Sequence, residues 1–231
     1  MISLLIPTWG RPQRLRDAVD SAIDTADRPD DIEILVRVAK DDPEHDRYAA
    51  LEPMGADVAY LADCNSYGQA IERLQRLAFG EILFAGADDI IFTTRGWDTK
   101  VRDAFASVPD QLLVAYANNG QGRRKCEHFF TSRKWVDTVG YMVWPEFRHF
   151  CVDQWVEECA TAIDRLHFLE DVVVDHRHKK YGKAPNDSTY ELVRGATRTS
   201  EADNALYAQR GLQREAAVLN LREALGLVQA A

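Results

Sequence analysis

Gly80-Glu81-Ile82-Leu83-Phe84-Ala85-Gly86-Ala87-Asp88-Asp89-Ile90 reads as an apolar strand that ends on two adjacent carboxylates. Unpaired charge at the edge of a buried sheet is costly, so such an ending calls for a counter-charge. A divalent cation would supply it. Mg2+ and Mn2+ prefer hard oxygen ligands, usually one or two carboxylates completed by phosphate oxygens. The competing reading is a plain turn, since Asp is common in turns. Taken alone, the pair does not separate the two.

On either side of this stretch, strand and helix patterns alternate. Residues 2–6 are a short apolar run before Pro7, as in a buried parallel strand. Pro12 suits the first turn of a helix, and Leu15, Val19, Ala22 and Ile23 follow at helical spacing. The pattern predicts strands over 32–38, 57–61 and 81–84. It predicts a helix over 67–79, with Ala70, Ile71, Leu74, Leu77 and Ala78 on one face and Gly80 as its C-cap. This alternation implies an α/β fold with a mainly parallel central sheet and helices on both faces. The second half is less regular. Helices are expected over 96–105 and 152–166, strands over 112–117 and 171–174, and loops over 118–124 and 179–187. Residues 201–228 are strongly helical and rich in Ala, Leu, Arg and Glu. We divide the chain into a main domain, 1–186, and a C-terminal helical extension, 187–231, which packs on the body, mediates a homodimer or hangs loosely.

The 231 residues are 46% hydrophobic, enough for one well-buried domain. No apolar run approaches the roughly 18 residues of a membrane span. The early first strand leaves no room for a secretory leader. Cys64, Cys126, Cys151 and Cys159 show no CxxC pair, so they read as reduced thiols in a cytoplasmic protein. A net charge of −9 argues against a globally basic nucleic-acid coat. Two local basic patches stand out, Arg123-Arg124-Lys125 and residues 177–183.

Ligand sites in open parallel sheets form beyond the carboxyl ends of the strands. Residues 8–11, 40–42, 64–68 and the pair Asp88 and Asp89 all fall at such ends. His176 and His178 follow the run Val172-Val173-Val174 at a spacing that aims both to one side of an extended chain. Imidazole nitrogen is an acceptable Mn2+ ligand, so either can complete a site begun by carboxylates. His176, nearer the strand, is the favoured one. Surface histidines in a basic loop are the bland alternative. Asp153 falls near a helix start, where most acids are plain N-caps; the functional reading is a general base. Position alone favours the cap.

The order Ile6-Pro7-Thr8, Arg11-Pro12, Leu15, Asp41-Asp42, then the 80–90 stretch and Ile90-Ile91-Phe92-Thr93 with Gly96-Trp97-Asp98, resembles the family-2-like glycosyltransferases of GT-A (Rossmann-like) fold. Asp153 and the His-x-His strand end extend the resemblance, which covers roughly residues 1–183. It implies that Pro7, Thr8 and Arg11 contact the nucleotide and that Asp41 or Asp42 meets the base or ribose. It implies that Asp88 binds metal and donor, with Asp89, His176 and His178 as further metal candidates. It makes Asp153 the catalytic base. Two departures are visible. The usual Asp-Ala-Asp-Asp run is Gly86-Ala87-Asp88-Asp89 here, and the usual Glu-Asp pair is Val152-Asp153. Small stand-alone members of this kind resemble bacteriophage enzymes that modify DNA. The activity implied is inverting transfer of a sugar from a nucleotide-diphosphate donor, with Mn2+ or Mg2+, to an acceptor hydroxyl such as that of a hydroxymethylated pyrimidine in DNA. Its rivals are nucleotidyl transfer, which usually wants a more Gly-rich phosphate loop than residues 8–12, and a non-catalytic nucleotide-binding or assembly module.

Overall fold

The computed structural model describes residues 1–48, 55–61, 64, 66–121, 125–194 and 197–228. They form β1 (Ile2–Thr8), α1 (Pro12–Thr25), β2 (Ile32–Ala39), β3 (Ala56–Leu61), α2 (Tyr67–Leu77), β4 (Ile82–Ala85), β5 (Ile90–Phe92) and α3 (Trp97–Ala106). Then follow β6 (Val114–Asn118), β7 (Phe129–Ser132), α4 (Arg133–Val139), α5 (Val152–Thr161), β8 (Leu166–His176), α6 (Ser188–Arg194), α7 (Thr197–Gln209) and α8 (Gly211–Ala224). The sheet runs β3-β2-β1-β4-β7-β6-β8-β5. β1 pairs in parallel with β2 and β4, and β2 with β3. β7 enters antiparallel between β4 and β6, and β8 pairs in parallel with β6.

Period-two alternation sends strand side chains to two cores. Ile2, Leu4, Ile6 and Phe84 meet Leu15 and Val19 of α1 and Trp97 and Val101 of α3. Leu5, Leu35 and Leu83 meet Ile71 and Leu74 of α2, Trp155 of α5, and Ala217 and Leu221 of α8. The last helix is therefore part of the second core and packs on the body. No described helix is long and apolar enough to cross a membrane.

Several boundaries differ from expectation. α2 ends at Leu77 with Ala78 extended, so Gly80 is not its cap. Gly80 is required for close approach instead: a Cβ there would lie 2.8 Å from the Ser3 nitrogen, and its own N–H donates to Ser3 Oγ. The helix expected over 152–166 stops at Thr161, and the chain turns through Asp164 at φ 56°. Leu166 already belongs to β8, which is far longer than 171–174 because its first half pairs with β6 and its end with β5. The C-terminal helical stretch is broken at Arg210 into α7 and α8. Arg123 and Arg124 of the first basic patch lie outside the described residues.

Asp98, fully buried at the start of α3, ties that helix to the end of α1. It accepts from the amides of Asp27 (2.7 Å) and Arg28 (3.1 Å) and pairs with Arg102. Burial alone would raise its pKa, but the Asp27 amide, Arg102 and the Arg28 amide outweigh burial and hold the carboxyl below its ordinary value. A depressed folded-state pKa means stabilisation that is complete above the unfolded value near ~3.9 and lost as pH falls through the folded one. Asp98→Ala should lower unfolding free energy by about 2–4 kcal/mol at neutral pH. The deficit should shrink below about pH 4. Urea titrations at pH 7 and pH 3.5 check this, and an equal deficit at both would count against it.

Candidate active site

Three strand ends meet at one place. The β5–β8 register sets Ile90 opposite His176, so the acid turn lies beside the end of β8, and the Arg177 amide donates to the Asp89 carbonyl at 2.7 Å. Phe84 faces Phe130 across β4 and β7, which brings the chain just before β7, Glu127 and His128, to the same end.

Asp89, His128 and His176 each offer a ligand atom, and these lie within 4.8 Å of one another. Asp89 Oδ1 is 3.4 Å from His176 Nε2. Glu127 Oε2 is 3.2 Å from His176 Nδ1 and also accepts from Asn119 Nδ2. Glu127 thus orients the ring and leaves Nε2 toward Asp89, a carboxylate–histidine arrangement typical around metals. Burial disfavours the His176 imidazolium, yet Asp89 and Glu127 outweigh burial and push its pKa up to about 9. Burial likewise opposes the Asp89 anion, but His176, His128 and Arg11 hold its carboxyl far below the usual range. Burial and the His176 charge push His128 down to about 4, so its ring is neutral. Its Nε2 is buried with no hydrogen-bond partner, while the ring also bonds the Ala85 backbone. A neutral imidazole with an orphaned nitrogen beside a carboxylate and a second ring fits a divalent metal of the Mn2+ type, which would displace the His176 Nε2 proton on binding.

Asp88 points elsewhere. Its Oδ2 accepts from Thr8 Oγ1 (2.8 Å) and its Oδ1 pairs with Arg11 Nη1 (3.0 Å). Burial raises its carboxyl to about 6, Arg11 resisting and Asp89 adding to the rise. The chain therefore supplies counter-charge to both acids itself, Arg11 to Asp88 and His176 to Asp89. His178 stands at the edge: its Nδ1 accepts from the Lys180 amide, its ring packs on Tyr190, and burial lowers it to about 4. The metal-sized cluster among the described residues comprises neither Asp88 nor His178.

Of the nucleotide-loop candidates, Thr8 and Arg11 meet the acid pair, and Pro7 precedes Thr8 at the end of β1. Asp42 is buried and accepts from the Gly10 amide (2.7 Å) and Tyr48 OH (3.1 Å), joining the loops after β1 and β2. Asp41 is exposed. Asp153 lies in the first turn of α5, but the N-cap is Cys151, so the plain cap reading fails. Cys151 takes φ 63° and His128 φ 51°, two left-handed non-glycine residues bordering the site. The charges of Asp153 and Asp89 both act on half-buried Tyr67, whose OH donates to the Gly86 carbonyl at 3.1 Å.

His128, Glu127, Tyr190 and Asp187 complete the site without having been marked in the sequence. Asp187 clamps Arg11 through both carboxylate oxygens (2.9 and 2.8 Å), and Tyr190 OH donates to Asp89 Oδ2 at 3.0 Å. The start of α6 thereby covers the acid turn. A cavity of about 170 Å³ lined by Arg14, Asp88, Asp89, Arg177 and Lys183 opens beside it.

No family model matches the sequence, and a search of curated proteins finds no match. Solved structures do match. Staphylococcus aureus TarS 1–349 in complex with UDP aligns at TM-score 0.60 and 15% identity, over 75% of this chain and 59% of that one. The fold is GT-A. Glucosyl-3-phosphoglycerate synthase from Mycobacterium tuberculosis, solved with Mn2+ and UDP-glucose, aligns at TM-score 0.60 and 13% identity, over 88% and 78%. The mannosyltransferase PcManGT from Pyrobaculum calidifontis, solved with GDP-Man and Mn2+, aligns at 0.56 and 16%, over 99% and 81%. The chain spans about 59% of the length of TarS 1–349.

Within the GT-A fold, Gly86 has a local cause. A Cβ there would sit 3.2 Å from the Leu5 carbonyl oxygen and 3.1 Å from Phe84 Cε1, in a position where Gly86 N–H donates to Leu5. Gly86→Asp should therefore destabilise the protein by about 1–3 kcal/mol through overpacking. Urea unfolding that finds the variant as stable as wild type would reject this account.

Proposed function

We propose that this chain is a metal-dependent glycosyltransferase that moves a sugar from a nucleotide-diphosphate donor to an acceptor hydroxyl with inversion. The observation that carries the reading is the Asp89, His128 and His176 cluster with its unpartnered His128 Nε2, placed at the strand ends of a GT-A sheet. Mn2+ or Mg2+ held there supplies Lewis-acid neutralisation of the donor diphosphate and of the leaving nucleoside diphosphate. Glu127 holds the His176 tautomer. Thr8 and Arg11 line the phosphate side, with Asp88 fixing both, and Asp42 shapes the nucleoside side through Gly10 and Tyr48. Asp153 takes the acceptor proton as the acceptor oxygen bonds to the anomeric carbon and the carbon–oxygen bond to the diphosphate breaks. The transition state has oxocarbenium character.

Calorimetry with Mn2+ and a panel of UDP and GDP sugars tests the reading, followed by product analysis. Release of a nucleoside diphosphate supports glycosyl transfer, and pyrophosphate would mean nucleotidyl transfer. Failure of every donor to bind would reject it. The acceptor we propose is a hydroxymethylated pyrimidine in DNA, supported by Arg177 and Lys183 lining the cavity beside the acid turn. A duplex carrying 5-hydroxymethylcytosine should gain one sugar mass, and no gain with a bound donor rejects that acceptor. For the C-terminal helices we propose a homodimer contact through exposed Leu212 and Leu219 on α8. Light scattering at monomer mass would refute it.

A further inference from the structure

We infer that Asp203, on α7, is a positioning residue for the acceptor side of the site. The inference rests on the reading of Asp153 as base. Asp203 is 1% exposed and spends both carboxylate oxygens on one loop. Oδ1 accepts from the Arg148 amide (3.0 Å), and Oδ2 from the amides of His149 (2.9 Å) and Phe150 (2.8 Å). Three successive amides converging on one buried carboxylate set the direction of a loop, which an apolar contact would not. Such charge-assisted bonds are about twice as strong as neutral ones.

This loop connects to the site through Tyr67 and through the start of α5. The Arg148 carbonyl accepts from the Tyr67 amide at 2.7 Å, and Tyr67 OH reaches the Gly86 carbonyl ahead of the acid turn. The charges of Asp203, Asp89 and Asp153 all act on the His149 ring, so the loop lies within electrostatic reach of both Asp89 and Asp153. At its other end Cys151 holds its left-handed backbone immediately before α5 and Asp153. Such a conformation costs roughly 1–2 kcal/mol in a non-glycine residue and needs outside support. Cys151 Sγ donates to Asn204 Oδ1 at 3.3 Å, one residue from Asp203. α7 therefore grips the segment at 148–150 and again at 151. The helix is itself anchored: Tyr207 stacks on Phe147 at 6.3 Å, and just beyond its end Arg210 makes two bonds to Glu146 (2.8 and 3.2 Å). A displacement of this loop displaces Asp153.

The test compares the full-length wild type with Asp203→Asn and Asp203→Ala, using Mn2+ with UDP-glucose and GDP-mannose. Asn keeps one carbonyl oxygen and so part of the grip, which guards against outright unfolding in Ala. Calorimetry should give donor Kd values within about twofold of wild type and unchanged stoichiometry. Donor turnover with water as acceptor should fall about 10-fold in Asn and about 10²-fold in Ala, the scale of a misplacement near 1 Å. Amide exchange at 148–150 should quicken in the same order. Wild-type turnover in both variants, unchanged exchange at 148–150, or a loss of binding stoichiometry that accounts for the lost rate would each overturn the inference. A wild type that binds no donor of the UDP- and GDP-sugar panel removes the proposed function, and this inference with it; a working wild type matched by its variants removes the inference alone.

Discussion

Asp89→Ala is expected to abolish Mn2+-dependent nucleotide binding and to lower donor turnover by about 10²–10³-fold or more. Asp89 is the only carboxylate in the described metal-sized cluster. Its loss leaves two imidazoles, a poor set for a hard cation. It also leaves His176 with Glu127 alone as partner and Tyr190 OH without its acceptor. Asp89→Asn keeps the shape and removes the charge, so it separates metal loss from collapse of the turn. Asp88 supplies the contrast. Its partners are Thr8 and Arg11, and Asp88→Asn should keep Mn2+ binding while weakening donor affinity through a loosened loop. Manganese titrations followed by electron paramagnetic resonance on both variants decide the assignment. Mn2+ binding retained by Asp89→Ala and lost by Asp88→Asn would reverse it.

The two acids are equivalent in the sequence and have different partners in the fold. The 80–90 stretch is legible because a strand ending on carboxylates is a local pattern. Which acid faces the histidines is not local: it follows from the antiparallel β5–β8 pairing, which sets Ile90 against His176. The parallel half was readable for the same reason, since β1, β2, β3 and β4 are apolar runs separated by periodic helices. β7 carries little signal of its own because Phe129-Phe130-Thr131-Ser132 is short and enters the sheet antiparallel, a choice made by β4 and β6 rather than by its own residues. The same holds for His128 and Glu127 just before it. Their neighbours Arg123, Arg124 and Lys125 read as a basic patch, and nothing nearby in sequence marks an orphaned imidazole. Asp187 and Tyr190 were hidden in the same way, since only the return of α6 over the first loop gives them partners. Asp153 shows the reverse: a cap by statistics, it is displaced from that role because a strained Cys151 takes the N-cap.

Asp153→Asn should leave donor and Mn2+ binding within about twofold of wild type and lower transfer by about 10²–10⁴-fold, the range of general-base contributions. The separation follows from where the group stands. Asp153 belongs to α5, whereas the metal cluster lies in the strand-end loops before β5, before β7 and at the end of β8. Asn preserves the size of the side chain and the acceptor that the Gln154 amide meets at 3.0 Å, so the first turn of α5 should stay intact. What Asn cannot do is take a proton from the attacking hydroxyl. The deficit should therefore appear in kcat with little change in donor KM, since the lost interaction exists only in the transition state. It should also be smaller for an acceptor whose hydroxyl is already acidic, because such an acceptor needs less help to lose its proton. Near-normal transfer by Asp153→Asn with an unactivated alcohol would remove Asp153 from the chemistry. A loss confined to donor KM would instead place it on the nucleotide side.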